Sequence, residues 1–105
     1  MEIISEQTEN EAIRKNPIAL KMDIEARREV LSWKGNLKIQ IELCETYLYN
    51  WRYEIGRPPG NILPEYYGLV REEWSQIRND LIRESKRRSF NEAMRQGRGL
   101  EYVYR

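Results

Sequence analysis

Tyr67, Val70, Trp74, Ile77 and Leu81 step by three, four, three and four residues, and this spacing constrains the chain more than any other feature. At about 100° per residue the five side chains share one face of an α-helix, whereas in a strand they would scatter over both faces. The segment must therefore be helical, and something must cover its stripe. Leu63-Pro64-Glu65 stands at its start, where proline loses no hydrogen bond and glutamate complements the helix dipole. After Leu81 the seam positions fall to Glu84 and Arg88. Ser89-Phe90-Asn91-Glu92 then has capping-box form. These signals predict a helix over 64–88 and a separate short helical turn over 90–96.

The natural partner for that stripe is residues 36–55, a segment with two periodicities. Leu37, Ile39, Ile41 and Leu43 alternate as a strand would. Leu37, Ile41, Cys44, Leu48, Trp51 and Ile55 form a helical stripe. A strand across the whole segment would far exceed the usual length of about 5–6 residues. A hairpin would need turn residues near Cys44-Glu45-Thr46, and none is there. The helix reading is preferred, with a short strand over 37–43 as the alternative. "GRPPGN", residues 56–61, forms a rigid connection, so these two helices should pack as an antiparallel hairpin. That loop lacks the lysine and spacing of a phosphate-binding glycine loop.

Upstream, Asn16-Pro17 opens a helix predicted over 17–34, with Ile13, Leu20, Ile24 and Leu31 on one face and Arg27, Arg28 and Glu29 largely off it. Gly35-Asn36 pairs a good C′ residue with a good N-cap. The apolar stripe also shifts phase there by more than about 90°, which places a break near residue 35. Thr8-Glu9-Asn10-Glu11 has capping-box form, with Thr8 as N-cap of a short turn over 9–15. Residues 1–8 read as a polar lead-in and residues 97–105 as a C-terminal arm. The chain of 105 residues reads as one mainly α domain, a three-helix bundle with short extra turns at both ends. The expected core is Leu20, Ile24, Leu31, Leu37, Ile41, Cys44, Leu48, Trp51, Val70, Trp74, Ile77 and Leu81. The aromatics Trp33, Tyr47, Trp51, Tyr66, Tyr67 and Trp74 group around the hairpin.

The catalytic inventory is thin. The chain has no histidine and one cysteine, so the usual general base, the commonest metal ligand and any internal disulfide are missing. Cys44 lies mid-stripe and reads as a small buried hydrophobe. Glu72, Glu73, Asp80 and Glu84 read as solvent-facing partners for Arg71, Arg78 and Arg83. No catalytic residue, metal site or cofactor is expected. No stretch approaches the roughly 18 apolar residues of a membrane span, and the acidic start is unlike a signal peptide. A cytoplasmic protein away from membranes is the expectation.

Two surfaces remain. Ile39, Tyr49, Tyr53 and Tyr66 fall off the core stripes and, with Arg87 and Arg88, are candidates for contacting a protein partner or a second copy. The segment Arg83–Arg98 carries Arg83, Lys86, Arg87, Arg88, Arg95 and Arg98 against Glu84 and Glu92, a balance of 6 − 2 = +4 in a chain of net charge +1. It is the candidate for phosphate contacts or for docking on an acidic protein. The expected function is a small non-catalytic binding protein, such as an adaptor, assembly factor or inhibitor. A nucleic-acid-binding regulator using residues 83–98 is the alternative.

Overall fold

The computed structural model describes residues 3–51 and 64–95, and the side chains of all of these but 64–67. Four helices follow one another: α1 (Glu11–Arg14), α2 (Pro17–Ser32), α3 (Leu37–Asn50) and α4 (Pro64–Arg95). No strand occurs among the described residues, which removes the strand reading of 37–43. Residues 52–55, the proline loop and the C-terminal arm lie outside the described residues.

Asparagine starts each of the first three helices. A helix leaves its first N–H groups without partners, and a short side-chain oxygen at the N-cap can accept from them. Asn10 Oδ1 accepts from the Ala12 N–H at 3.0 Å. Asn16 Oδ1 accepts from Ile18 and Ala19, each at 3.1 Å. Asn36 Oδ1 accepts from Ile39 at 3.2 Å. Thr8 is thus not the cap of α1. Its hydroxyl accepts from the Asn10 N–H at 2.9 Å and donates to Glu73, so it is already committed.

The predicted break near residue 35 is a turn between α2 and α3. Gly35 has φ of +96°, a backbone conformation that costs any residue with a Cβ. The Asn36 N–H donates to the Trp33 carbonyl at 2.9 Å and closes the turn. A Cβ added at Gly35 would meet nothing within 4 Å. Gly35→Ala should therefore cost backbone strain alone, about 1 kcal/mol, read from the midpoint of urea unfolding.

The most extensive packing joins α3 to α4, the expected antiparallel hairpin. Cys44, Leu48 and Trp51 are buried with Val70, Trp74, Ile77 and Leu81 in one cluster. Each large side chain so buried stabilises the fold by roughly 1.5–3 kcal/mol. Arg71 Nη1 donates to the Leu48 carbonyl at 2.5 Å and satisfies an acceptor in the last turn of α3. Leu37 and Ile41 pack only partly buried against the same cluster.

Helix α2 presents a different face from the one its apolar residues mark out. Its buried positions are Ala19, Asp23, Arg27 and Val30, while Leu20, Ile24 and Leu31 are only partly buried. Two charged residues occupy the middle of the inward face, so a reading that places charge outside rotates the helix. Gln40 on α3 completes the join by donating to the Val30 carbonyl at 2.9 Å.

Two further expectations are corrected. Residues 3–8 are not a solvated lead-in: Ile4 and Thr8 are buried, because the segment lies against α2 and α4 as a strap. Helix α4 does not stop at residue 88 or restart at 90. It runs unbroken to Arg95, since nothing between Leu81 and Arg95 is a glycine or proline and Ser89 sits inside it. At 1.5 Å per residue its 32 residues span about 48 Å, close to the 54 Å long axis of the described molecule.

Candidate interaction surface

The densest electrostatic arrangement lies between α2 and α4, whose described Cα atoms nowhere come within 8 Å of each other. Long polar side chains fill that gap. Arg27 Nε donates to Asp23 Oδ2 at 2.7 Å, and Arg27 Nη2 pairs with Glu73. Trp74 Nε1 donates to Asp23 Oδ1 at 2.8 Å. The Thr8 hydroxyl lies 2.6 Å from both Glu73 oxygens, and Arg27 Nη1 donates to the Ser5 carbonyl at 3.3 Å. The guanidinium sits 5.4 Å from the Trp74 ring centroid, and the Tyr47 ring packs against the same ring, tilted by 58° with centroids 4.5 Å apart.

Burial pushes the Asp23 carboxyl above its ordinary range, against the pulls of Trp74 and Arg27. A raised carboxyl in a cleft would be an acid–base candidate. Here both Asp23 oxygens and both Glu73 oxygens are already engaged by protein donors, and Asp23 and Arg27 are buried to within 2% of complete enclosure. The knot ties the strap, α2 and α4 together. The knot is not legible in hydropathy, which sends Glu73 to solvent and Arg27 to the outside of α2. Asp23 and Arg27 are four apart, a helical ion-pair spacing, which was the one available signal.

Cys44 is set apart from the knot. It is buried, and burial pushes its thiol up to about 12. No group of three or more acidic or cysteine side chains among the described residues could hold a metal ion. No helix among them is long and apolar enough to cross a membrane.

The surface that remains open lies at the other end of the bundle. A cleft of about 770 Å³ forms where the strap, the α2–α3 turn and α4 meet, within the range of about 300–1,000 Å³ typical of binding pockets. Ile4, Leu31, Leu37 and Leu81 line it, and Lys34, Arg83, Arg87 and Arg88 stand around it with Asp80 and Glu84. Glu84 holds two of these cations: Arg87 donates to it at 2.6 and 2.9 Å, and Arg88 at 3.1 Å. The donated hydrogen bond from Arg87 leads in holding the Glu84 carboxyl down at about 2. Arg83 lies 3.7 Å from Asp80. Lys34 pairs with no carboxylate among the described residues.

Beyond the cleft α4 continues with its side chains turned to solvent. Every side chain from Lys86 to Arg95 except Ala93 is exposed. Phe90 and Met94 are 56% and 46% exposed. They fall more than about 90° round the helix from each of Val70, Trp74, Ile77 and Leu81, so the hairpin cannot cover them. With Arg83 and Arg87 they form a second stripe at four, three and four residues.

The remaining candidates divide. Arg83, Lys86, Arg87, Arg88 and Arg95 all lie on this end of α4 but are spread round the helix; only Arg83, Arg87 and Arg88 reach the cleft, and Arg95 pairs with Glu92 at 2.9 Å. Arg98 and Tyr53 lie outside the described residues, as does the Tyr66 side chain. Tyr49 is exposed on α3 and Ile39 is partly buried there, on a helix flank away from the cleft. Trp33 is 45% exposed at the end of α2 rather than in the aromatic core. Phe90 and Met94 were missed as contact residues because the predicted restart of the helix hid their register with Arg83 and Arg87. No protein-family model matches the chain, and no curated protein or solved structure is significantly similar to it.

Proposed function

We propose that this chain is a small non-catalytic binding protein whose working surface is the free end of α4 and the cleft beside it. One observation carries the reading: Phe90 and Met94 sit exposed on α4, on the face turned away from its buried stripe. Adjacent exposed apolar side chains rimmed by charge are the usual make-up of a protein-contact site. The occupied oxygens of the Asp23–Arg27–Glu73 knot support a non-catalytic role, and the buried thiol of Cys44 suits a reducing, cytoplasmic setting.

The nucleic-acid reading draws on the same basic end. Against it, Arg87 and Arg88 already share Glu84, Arg95 already pairs with Glu92, and Asp80 and Glu84 would face any phosphate. Size-exclusion chromatography with light scattering and the 260/280 nm ratio, on protein isolated from the cells that naturally make it, separates the two. The expected result is co-elution with a protein, with no nucleic-acid absorbance, lost in Phe90→Asp with Met94→Asp. A lone monomer, or an excess of 260 nm absorbance that falls away in high salt, contradicts the proposal.

A further inference from the structure

Resting on the reading of the cleft as part of the working surface, we infer that the strap is a displaceable arm that regulates it. Ile3 and Ile4 hold a place in the cleft that an extended segment of a partner protein, carrying two adjacent β-branched aliphatic residues, takes on binding. The strap itself shows what the place accepts. Ile3 and Ile4 both line the cleft, with Leu31, Leu37 and Leu81 as the rest of its apolar wall. Ile4 is 5% exposed, so this wall encloses an isoleucine closely. The strap lies in no helix, and the occupant it stands for is an extended segment. Phe90 lies on the opposite side of α4 from Leu81 and is no part of this site.

The strap's tethers can be given up without orphaning a charge. Among the described residues no backbone–backbone hydrogen bond ties 3–9 to the helices. The polar tethers are the Thr8 hydroxyl on Glu73 at 2.6 Å and Arg27 Nη1 on the Ser5 carbonyl at 3.3 Å. Both end in the knot, and the knot stays paired without them: Glu73 keeps Arg27, and Arg27 keeps Asp23. A buried charge left alone would hold the strap shut. Here the Thr8 hydroxyl and the Ser5 carbonyl simply return to water. Opening also frees the six residues 3–8 from their fixed conformation, an entropy gain that favours release. Its main cost is the apolar contact of Ile3 and Ile4, and a partner's aliphatic pair restores that contact. Thr8 on Glu73 is the latch, and the two isoleucines are the plug.

The test uses the full chain and a peptide amide of residues 1–10, MEIISEQTEN, with a control peptide carrying serine in place of both isoleucines. Amide chemical shifts of the isotope-labelled chain report binding and its location, with peptide added to about 1 mM. In the wild type the tethered strap competes with the peptide, so binding should be weak. Thr8→Val keeps the side-chain shape and removes the latch, so half-saturation should come at about tenfold lower peptide. Ile3→Ser with Ile4→Ser removes the plug and should gain at least as much. In both variants the shifts should centre on Leu31, Leu37 and Leu81, and the serine peptide should cause none. If the isoleucine variant fails to fold, Thr8→Val decides by itself. The inference is overturned if removing the latch or the plug brings no tighter binding, if the serine peptide binds equally, or if the shifts fall outside the cleft. It is also overturned if the wild-type chain alone forms dimers that the isoleucine variant loses, since the occupant is then a second copy's strap. A natural protein captured through Phe90 and Met94, together with a peptide that does not bind, removes the strap inference alone. Peptide binding where no natural protein is captured supports the displaceable strap and overturns the proposed function.

Discussion

Arg27→Ala will lower the folding free energy by about 3–5 kcal/mol, the usual cost of removing one partner from a buried ion pair. Asp23 is left enclosed with the Trp74 N–H as its remaining donor, and Glu73 and the Ser5 carbonyl each lose a partner. For a domain whose whole stability is of order 5–15 kcal/mol, that is a large fraction. The loss will depend on pH. Burial already raises the Asp23 carboxyl, and without Arg27 it will rise further. A carboxyl whose folded pKa lies above its unfolded one stabilises the fold most fully below the unfolded value, and that contribution is lost as pH rises through the folded value. Urea unfolding at about pH 5 and about pH 8 should therefore find the variant less impaired at the lower pH. A loss below about 1 kcal/mol, or one flat with pH, contradicts the role given to the knot.

Trp74→Ala should cost a similar amount, about 3–5 kcal/mol, because the side chain is fully enclosed and carries three different contacts. It fills the space between α2 and α4, packs against the tilted Tyr47 ring and donates to Asp23. Trp74→Phe separates these effects. The ring volume is largely kept while the Asp23 oxygen loses its donor, so the cost should fall to about 1–3 kcal/mol. Equal losses for the two variants, measured by chemical unfolding followed by circular dichroism, would show that packing counts for little and the hydrogen bond for nearly everything.

The parts of the fold legible in the sequence are those where apolar periodicity and burial coincide. Val70, Trp74, Ile77 and Leu81 on α4, and Cys44, Leu48 and Trp51 on α3, are buried as their spacing requires. Gly35 and Asn36 mark the turn by the conformation one permits and the cap the other supplies. Legibility fails on α2 because Asp23 and Arg27 neutralise each other inside the protein. Hydropathy treats each charge singly and so sends both to solvent. The same reasoning misplaced Glu73 and released a strap whose Ile4 and Thr8 are in fact buried. On α4, a capping-box pattern at Ser89 has no force within a continuing helix, since the backbone there is already hydrogen-bonded.

The candidate surface was half legible. Arg83, Arg87 and Arg88 stood out as a charge cluster, but a cleft built from the α2–α3 turn, the strap and α4 is a tertiary feature that no local pattern encodes. Lys34 belongs to it only because the Gly35 turn sets it opposite Arg83 and Arg87. Phe90 and Met94 acquire meaning only once α4 is known to be unbroken.

That unbroken, uncovered end is the centre of the account, and site-specific photocrosslinking addresses it directly. A photoreactive phenylalanine at position 90, expressed in the natural host, should give a discrete protein adduct. The same group at position 46, exposed on α3, should give none. Adducts from position 46 alone, or from neither position, would contradict the assignment of the free end of α4 as the working surface.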